Sequence, residues 1–454
     1  MSDNNFSRRK FLSGAAVVGA ASAMGVGTLA SCSSGGGESA AAGVSYDWEA
    51  REYNFPPLLD QVPEGTVLKA GVIGCGGRGT GAATNFLEAG GSTVTITALG
   101  DVFQDRINGC REKIKKERGV EVPEENCFVG FDAFEKVIDS GVDIVILATP
   151  PKFRPEQFAA AVKARKHVFM EKPVAVDTAG VRQVLAAAKM ADSLGLKVVT
   201  GTQRRHQHKY INTYKALTNN AIGRVTTAEV FWNGGQLWYR DQNPNWSEME
   251  WMIRDWVNWC WLSGDHIVEQ HVHNIDVANW FFGKHPVKAL GFGSRQRRPT
   301  GDQYDNFAVD FIMDDGRNFV STCRQINGCT NAVHEIVHGT KGRTYTDGGN
   351  GNARITDLEG NELFAFENHS TSPYVQEHKD LITCIRQNIP FNEAEETANS
   401  VMTAIMGRVS AYTGKEVTWD EMMNSDMKLG PETYIMGNIG YMKDAKVPVP
   451  GSDS

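Results

Sequence analysis

The chain has 454 residues, 41% hydrophobic and 22% charged, with a formal net charge of −8. That is a globular composition with length enough for two domains. The negative balance excludes nucleic-acid binding as the main task, because no basic excess is available to neutralise phosphates. Eight cysteines show no CxxC pair and no zinc-type spacing, so neither a metal framework nor a disulfide scaffold is indicated. Cys323 and Cys329 are near enough in sequence to pair, but separate thiols are the expectation.

Ser7-Arg8-Arg9-Lys10-Phe11-Leu12 is a twin-arginine pattern. The Ala/Gly-rich run that follows, residues 14–30, is too short and too glycine-rich for a membrane span. It closes on Leu29-Ala30-Ser31-Cys32, which resembles the lipobox of bacterial lipoproteins, with Cys32 as the lipidated first residue of the mature chain. The plainer alternative is an ordinary secretory peptide with a chance cysteine. Residues 1–32 are expected to be the signal and 33–65 a tether. The mature protein is then exported, periplasmic or outer-membrane-anchored. The twin-arginine route carries folded proteins, so any nucleotide cofactor is expected to travel tightly bound and to be recycled in place.

Residues 66–73, TVLKAGVI, read as a strand leading into Gly74-Cys75-Gly76-Gly77-Arg78-Gly79 and then a helix over 80–88. Between a strand and a helix, GxGxxG is a dinucleotide fingerprint. Gly74 permits the tight turn, Gly76 lets backbone approach a pyrophosphate and Gly79 allows close helix–sheet packing. The helix N-terminus, including Gly77, offers unpaired N–H groups to the phosphates, and Arg78 adds a charge. A second strand, 93–99, ends at Gly100-Asp101. Asp101 lies roughly 20 residues past the last glycine, where a carboxylate accepts from a ribose 2′-OH and repels a 2′-phosphate, which favours NAD. Strand 143–148 ends at Thr149-Pro150-Pro151, a rigid rim for a nicotinamide. Helix 155–164 leads to the buried strand of His167-Val168-Phe169-Met170, which ends in Glu171-Lys172-Pro173. Helix 178–194 and strand 197–201 follow. This alternation across 66–201 predicts a doubly wound parallel sheet, whose ligands sit at the carboxyl ends of the strands.

The glycine motif, the Thr149-Pro150-Pro151 turn and Glu171-Lys172-Pro173 at this spacing resemble the Gfo/Idh/MocA family, which includes glucose–fructose oxidoreductase and inositol dehydrogenase. The resemblance covers residues 67–420. It implies that Lys172, next to Glu171, lies beside the nicotinamide and the substrate hydroxyl, where it can hold the oxygen or shuttle a proton. The bland alternative is that Lys172 merely pairs with Glu171 at a strand end.

Beyond the first half, the polar run 202–210 follows a strand end and supplies candidate substrate contacts in Arg205 and His206. Strands over 226–232, 288–293, 307–313, 319–323 and 333–339, with turns at Asp314-Asp315-Gly316 and Lys341-Gly342, predict an α+β domain across 202–374 with an open, largely antiparallel sheet. From Ile267 the apolar spacing predicts one helix, placing Glu269, His273 and Asp276 at i, i+4 and i+7 on one stripe. The family's stripe, D-x-x-x-H-x-x-D, implies His273 as acid/base with the carboxylates orienting substrate. Here the first carboxylate is Glu269, one methylene longer. His273 also titrates nearest neutral pH. A metal site from His266, Glu269, His271 and His273 is disfavoured by spacing that is not HExxH, and no metal is expected. The tryptophans of 251–261 are expected in the core or at a subunit contact, with one or two available as a sugar platform. Trp261 and Arg254 join the candidate substrate contacts. Helices within 375–454 are expected to brace the dinucleotide domain.

The reading is an NAD-dependent oxidoreductase acting on a sugar or glycoside hydroxyl, with C3 as the specific expectation. A second sugar returns the hydride, and the chain forms a homo-oligomer. Two alternatives stand beside it: an NAD-dependent glycosidase using transient oxidation and elimination, and a non-catalytic sugar-binding surface lipoprotein.

Overall fold

A computed structural model describes residues 53–452 apart from 350 and 368. The twin-arginine motif, Cys32 and most of the expected tether lie outside the described residues.

Six short strands build the first sheet: β1 (Leu68–Ile73), β2 (Val94–Asp101), β3 (Cys127–Val129), β4 (Ile144–Leu147), β5 (His167–Met170) and β6 (Val198–Thr200). Their order is β3-β2-β1-β4-β5-β6 and every neighbour pair is parallel. All four residues of β4 and the last three of β5 are buried, as strands covered on both faces must be. The order reverses between β1 and β4, which opens a crevice at their carboxyl ends.

The second sheet holds β7 (Val225–Gly234), β8 (Lys288–Ser294), β9 (Asn306–Ile312), β10 (Asn318–Gln325), β11 (Ala332–Gly339), β12 (Gly342–Asp347), β13 (Ala353–Asp357), β14 (Glu362–Phe366) and β15 (Val417–Thr418). They run β14-β13-β12-β11-β7-β10-β9-β8-β15, antiparallel except where β7 meets β10. The fold is therefore the expected α/β sheet joined to an open, mostly antiparallel one. Alternation decides which face is covered: Phe307, Val309 and Phe311 of β9 point inward, while Leu290, Phe292, Val320 and Tyr345 remain exposed on the other side. Strands β12 to β15 and β3 were not legible in the sequence; β14, for example, is exposed along almost its whole length.

Helices Val272–Phe282 and Ala394–Thr413 pack the inner face of the second sheet, and Ala394–Thr413 also packs on Thr178–Ser193 of the first half. Helix Pro373–Arg386 lies against Gly77–Gly90, the helix that opens from the glycine motif. The chain then returns as a strap. Tyr434 stacks on Trp261 at 6.2 Å, and Glu248 accepts from the backbone N–H groups of Ile439 and Met442 at 2.7 and 2.6 Å. Cys323 is buried and Cys329 exposed, each a free thiol.

One expectation fails. The helix predicted from Ile267 breaks into His266–Glu269 and Val272–Phe282. Asp265 starts the first piece by accepting from the His266 N–H at 2.5 Å, and His271 turns inward to bond Ser321 of β10 at 2.7 Å. Glu269, His273 and Asp276 therefore do not form one stripe.

Candidate active site

The crevice at the sheet reversal is a cavity of about 400 Å³. One wall is the glycine loop, with Gly74, Gly76, Gly77 and Arg78; another is Asp101, and Thr149 and Pro150 form a third. The glycines have distinct reasons. Gly74 has φ +92°, and a Cβ there would lie 2.5 Å from the Thr149 nitrogen. A Cβ on Gly79 would lie 1.7 Å from the Gly74 carbonyl oxygen, so only glycine lets the helix approach the loop. Gly76 and Gly77 face open space, leaving room where a pyrophosphate would lie. Helix Gly77–Gly90 has no side-chain cap, so its first N–H groups are available to an anion. The Asp101 carboxylate is aimed by two backbone donors, Cys75 N at 2.7 Å and Phe103 N at 2.9 Å. Burial pushes its carboxyl above the usual range despite those donors. These features fit a dinucleotide: glycines where phosphates need space, a helix end, and a ribose-facing carboxylate.

Two expected cofactor contacts do other work. Arg78 donates from Nε to Glu171 Oε1 at 2.5 Å and from Nη2 to Glu377 Oε1 at 3.2 Å, with its guanidinium 4.8 Å from the centre of the Tyr374 ring. Its charge is thus matched by two buried carboxylates, while the side chain still borders the cavity. Glu171, correspondingly, ties the strand end to the glycine loop. Thr149 donates its hydroxyl to Gln157 Oε1 at 2.7 Å, which fixes the rim.

At the end of β5, Lys172 Nζ donates to Glu269 Oε1 at 3.0 Å and to the Glu269 carbonyl at 2.5 Å. Glu269 also accepts from Gln270. Lysine carries three N–H donors, so one is left to meet a substrate oxygen. The turn that presents Lys172 is clamped by Arg154, which donates to the Glu171 carbonyl at 3.0 Å and the Pro173 carbonyl at 2.7 Å. His273 lies nearby, its ring stacked on Trp232 with centroids 5.7 Å apart. Burial holds its imidazole well below the usual range, and the charges of Lys172, Arg204 and Arg78 depress it further. His273 is therefore held as the neutral imidazole, within reach of the Lys172 charge.

The remaining candidates lie elsewhere. Asp276 accepts both arms of Arg205 at 2.8 Å and a hydroxyl hydrogen bond from Ser400 at 2.8 Å, in the core under helix Ala394–Thr413. Asp276 and Arg205 satisfy each other's charge, and Arg205 lines a separate cavity with Tyr53 and Trp280 instead of the one bounded by the glycine loop. His206 sits between Asp380 at 2.7 Å and Glu393 at 3.2 Å, fully enclosed. Burial disfavours its charge, but the two carboxylates prevail and raise it to about 10. Trp261 is 0% exposed and packs against Phe153 and Tyr434, so it is core and no sugar platform. Arg254 does line a ligand cavity, but at its Asp101 end, away from Lys172. With Trp238, Arg240, Ile253 and Trp256 it closes that end from the second half of the chain. The sequence pointed to this wall only through Arg254, expected as a substrate contact, and through a Trp-rich run expected in the core, at a subunit contact or as a sugar platform; Trp238, Arg240, Ile253 and Arg154 carried no signal.

Comparison with known proteins agrees with this fold and with a nicotinamide cofactor. Residues 68–199 match the model of the oxidoreductase family with an NAD-binding Rossmann fold, and residues 210–345 match the GFO/IDH/MocA C-terminal domain. The chain is 25% identical to myo-inositol 2-dehydrogenase of Thermotoga maritima over 71% of this chain and 90% of that protein. It is 24% identical to an NAD-dependent scyllo-inositol 2-dehydrogenase of Bacillus subtilis over 44% of this chain, about half (51%) of that protein's length. A glycosyl hydrolase family 109 protein of Solibacter usitatus is 36% identical over only 25% of each chain. Among solved structures, aldose-aldose oxidoreductase of Caulobacter crescentus superposes with a TM-score of 0.62 at 20% identity, covering 77% of this chain and 99% of that one. Scyllo-inositol dehydrogenase of Lactobacillus casei, with bound NAD(H) and scyllo-inositol, gives 0.59 at 19% identity, covering 78% and 99%.

Proposed function

This chain belongs to the Gfo/Idh/MocA oxidoreductase family, and from that premise we propose that it oxidises a hydroxyl of a sugar, polyol or glycoside and returns the hydride to a second carbonyl without releasing NAD. The coarse activity is that of an NAD-dependent oxidoreductase of the sugar and polyol dehydrogenase type. What supports the finer reading is Lys172 at the end of β5, held by Glu269 with one N–H to spare, and His273 close enough for the Lys172 charge to depress its imidazole. When bound, NAD supplies the hydride acceptor. His273 takes the hydroxyl proton, and the remaining Lys172 N–H holds the same oxygen as it becomes a carbonyl. Glu269 fixes the direction of that N–H. Asp276 has no part in this set.

In the reverse half-turnover a carbonyl of a second sugar accepts hydride at carbon and the proton at oxygen, so no external oxidant is needed. The retained cofactor follows from the export expected of the twin-arginine pattern and from lipidation expected at Cys32, since no nicotinamide pool would serve an exported enzyme. The exposed outer face of the second sheet supports a homo-oligomer. Oxidation at C3 of a glycoside is the specific substrate reading.

Two readouts test this. Denaturing the purified protein is expected to release NAD or NADH, and native enzyme given polyols or glycosides together with an aldose acceptor is expected to yield donor products two daltons lighter and reduced acceptor two daltons heavier. A free reducing sugar instead would indicate the glycosidase route, and no bound nicotinamide would overturn the retained-cofactor reading. Lys172→Ala is expected to lower turnover by about 10²–10⁴-fold while NAD stays bound. Full activity in that variant would remove Lys172 from the chemistry. The rate profile carries a further signature. Because His273 is depressed, its base form persists below pH 6.5, so the acid limb of kcat/KM is expected below that value. A limb at or above 6.5 would contradict a buried, neutral His273.

A further inference from the structure

We propose that residues 238–256, backed by the C-terminal strap, form a lock over the adenosine end of the cofactor site with Arg254 as its bolt, so that NAD stays bound between turnovers. This rests on the retained-cofactor reading above and names the device that would achieve it.

Arg254 ends helix Glu248–Arg254 of the second half, yet its guanidinium reaches the dinucleotide half. Its Nη1 and Nη2 each donate to one oxygen of Asp105 at 3.1 Å, and its plane centre lies 3.9 Å from the centre of the Phe103 ring. Its Nε donates to Glu250 Oε1 at 2.8 Å, which fixes the side chain from its own helix. A two-pronged grip on a carboxylate combined with stacking is geometry that arginine makes and lysine does not. Phe103 stands two residues after Asp101, and both line the cavity together with Trp238, Ile253, Arg254 and Trp256. The bolt therefore crosses directly beside the place where the ribose carboxylate points.

The other end of the same helix is tied down as well. Glu248 accepts from the N–H groups of Ile439 at 2.7 Å, Gly440 at 2.5 Å and Met442 at 2.6 Å, and its own N–H donates to Asn438 Oδ1 at 2.9 Å. Tyr434 of the strap packs on Phe131 and Phe153, which line the cavity from the first half. An adenosine leaving the cavity has to displace a wall fastened at both ends. Asp105 is 57% exposed while Glu248 is buried, so the Arg254–Asp105 contact is the end that opens first. Salt screens an exposed ion pair, so release should quicken as ionic strength rises.

The test uses the full-length holoenzyme. Exchange of bound NAD is timed after mixing with excess labelled NAD, for wild type, Arg254→Ala, Arg254→Lys and Asp105→Ala. The expected result is slow exchange in wild type and exchange at least about tenfold faster in Arg254→Ala and Asp105→Ala, with Arg254→Lys closer to alanine than to wild type. Nicotinamide mononucleotide, which lacks the adenosine, serves as the probe for general damage; its affinity for cofactor-stripped protein is expected to be the same in all four. Equal, slow NAD exchange in wild type and both alanine variants would overturn the lock while leaving the retained-cofactor reading intact. Rapid exchange in wild type would overturn the retained-cofactor reading itself. Parallel loss of mononucleotide affinity would mean the substitutions disturb the whole site, and the lock would fall.

Discussion

His206 shows how far a side chain's identity is from its role. A histidine in a polar run after a strand end looks like a substrate contact, but it is sealed between Asp380 and Glu393. Its folded pKa of about 10 exceeds the unfolded value near 6.5. A raised value means the folded state holds the proton more tightly, so the stabilisation is fully present below about pH 6.5 and is lost as pH rises through about 10. Thermal melts between pH 6 and 10.5 are expected to show Tm falling in that window for wild type. The fall should be shallower in His206→Gln, which starts lower; parallel curves would show that His206 does not carry the dependence. By contrast, Lys172 was legible from sequence because its position follows from a buried strand that ends in a charged pair. The glycines were legible for the same kind of reason: a turn at φ +92° and a helix that would bring a Cβ to 1.7 Å from the Gly74 carbonyl oxygen admit nothing else. Arg205, His206 and Asp276 were misplaced because a single sequence does not say which carboxylate a buried cation will meet.

At the scale of elements, period carried most of what could be read. The apolar runs of β1, β4 and β5 and the alternation in β9 fixed two sheets and their faces. The helix through Glu269 and His273 failed because periodicity is blind to a break made by tertiary contacts, here His271 bonding Ser321 across to β10. That break matters for function: it lets Glu269 turn to Lys172 while Asp276 turns to Arg205. The C-terminal strap had little signal, since it holds on through backbone N–H groups converging on Glu248 and through scattered aromatic contacts of Tyr434 and Tyr441 with no period. Glu248→Ala removes the acceptor for three of them at a buried site, which is expected to cost about 2–4 kcal/mol in denaturant unfolding. It should also open the 427–452 strap to limited proteolysis. An unchanged midpoint with an uncut strap would show that the aromatic packing of Tyr434 alone suffices.

For the whole molecule, the two halves divide the chemistry. The parallel sheet supplies the glycine loop, Asp101 and Lys172; the second half supplies Glu269, His273 and the wall of Trp238, Ile253, Arg254 and Trp256. A cofactor cavity lined by both halves suits the proposed transfer of hydride from one sugar to another with the carrier kept in place. The direct measurement is deuterium transfer. Enzyme purified with its own nicotinamide is mixed with a polyol or glycoside deuterated at the reacting carbon, an aldose acceptor and an excess of free NAD. The expected result is that the reduced acceptor gains the deuterium, one mass unit heavier than the unlabelled product, while the free NAD pool stays unlabelled. Deuterium accumulating in the free pool, with none in the acceptor, would contradict it.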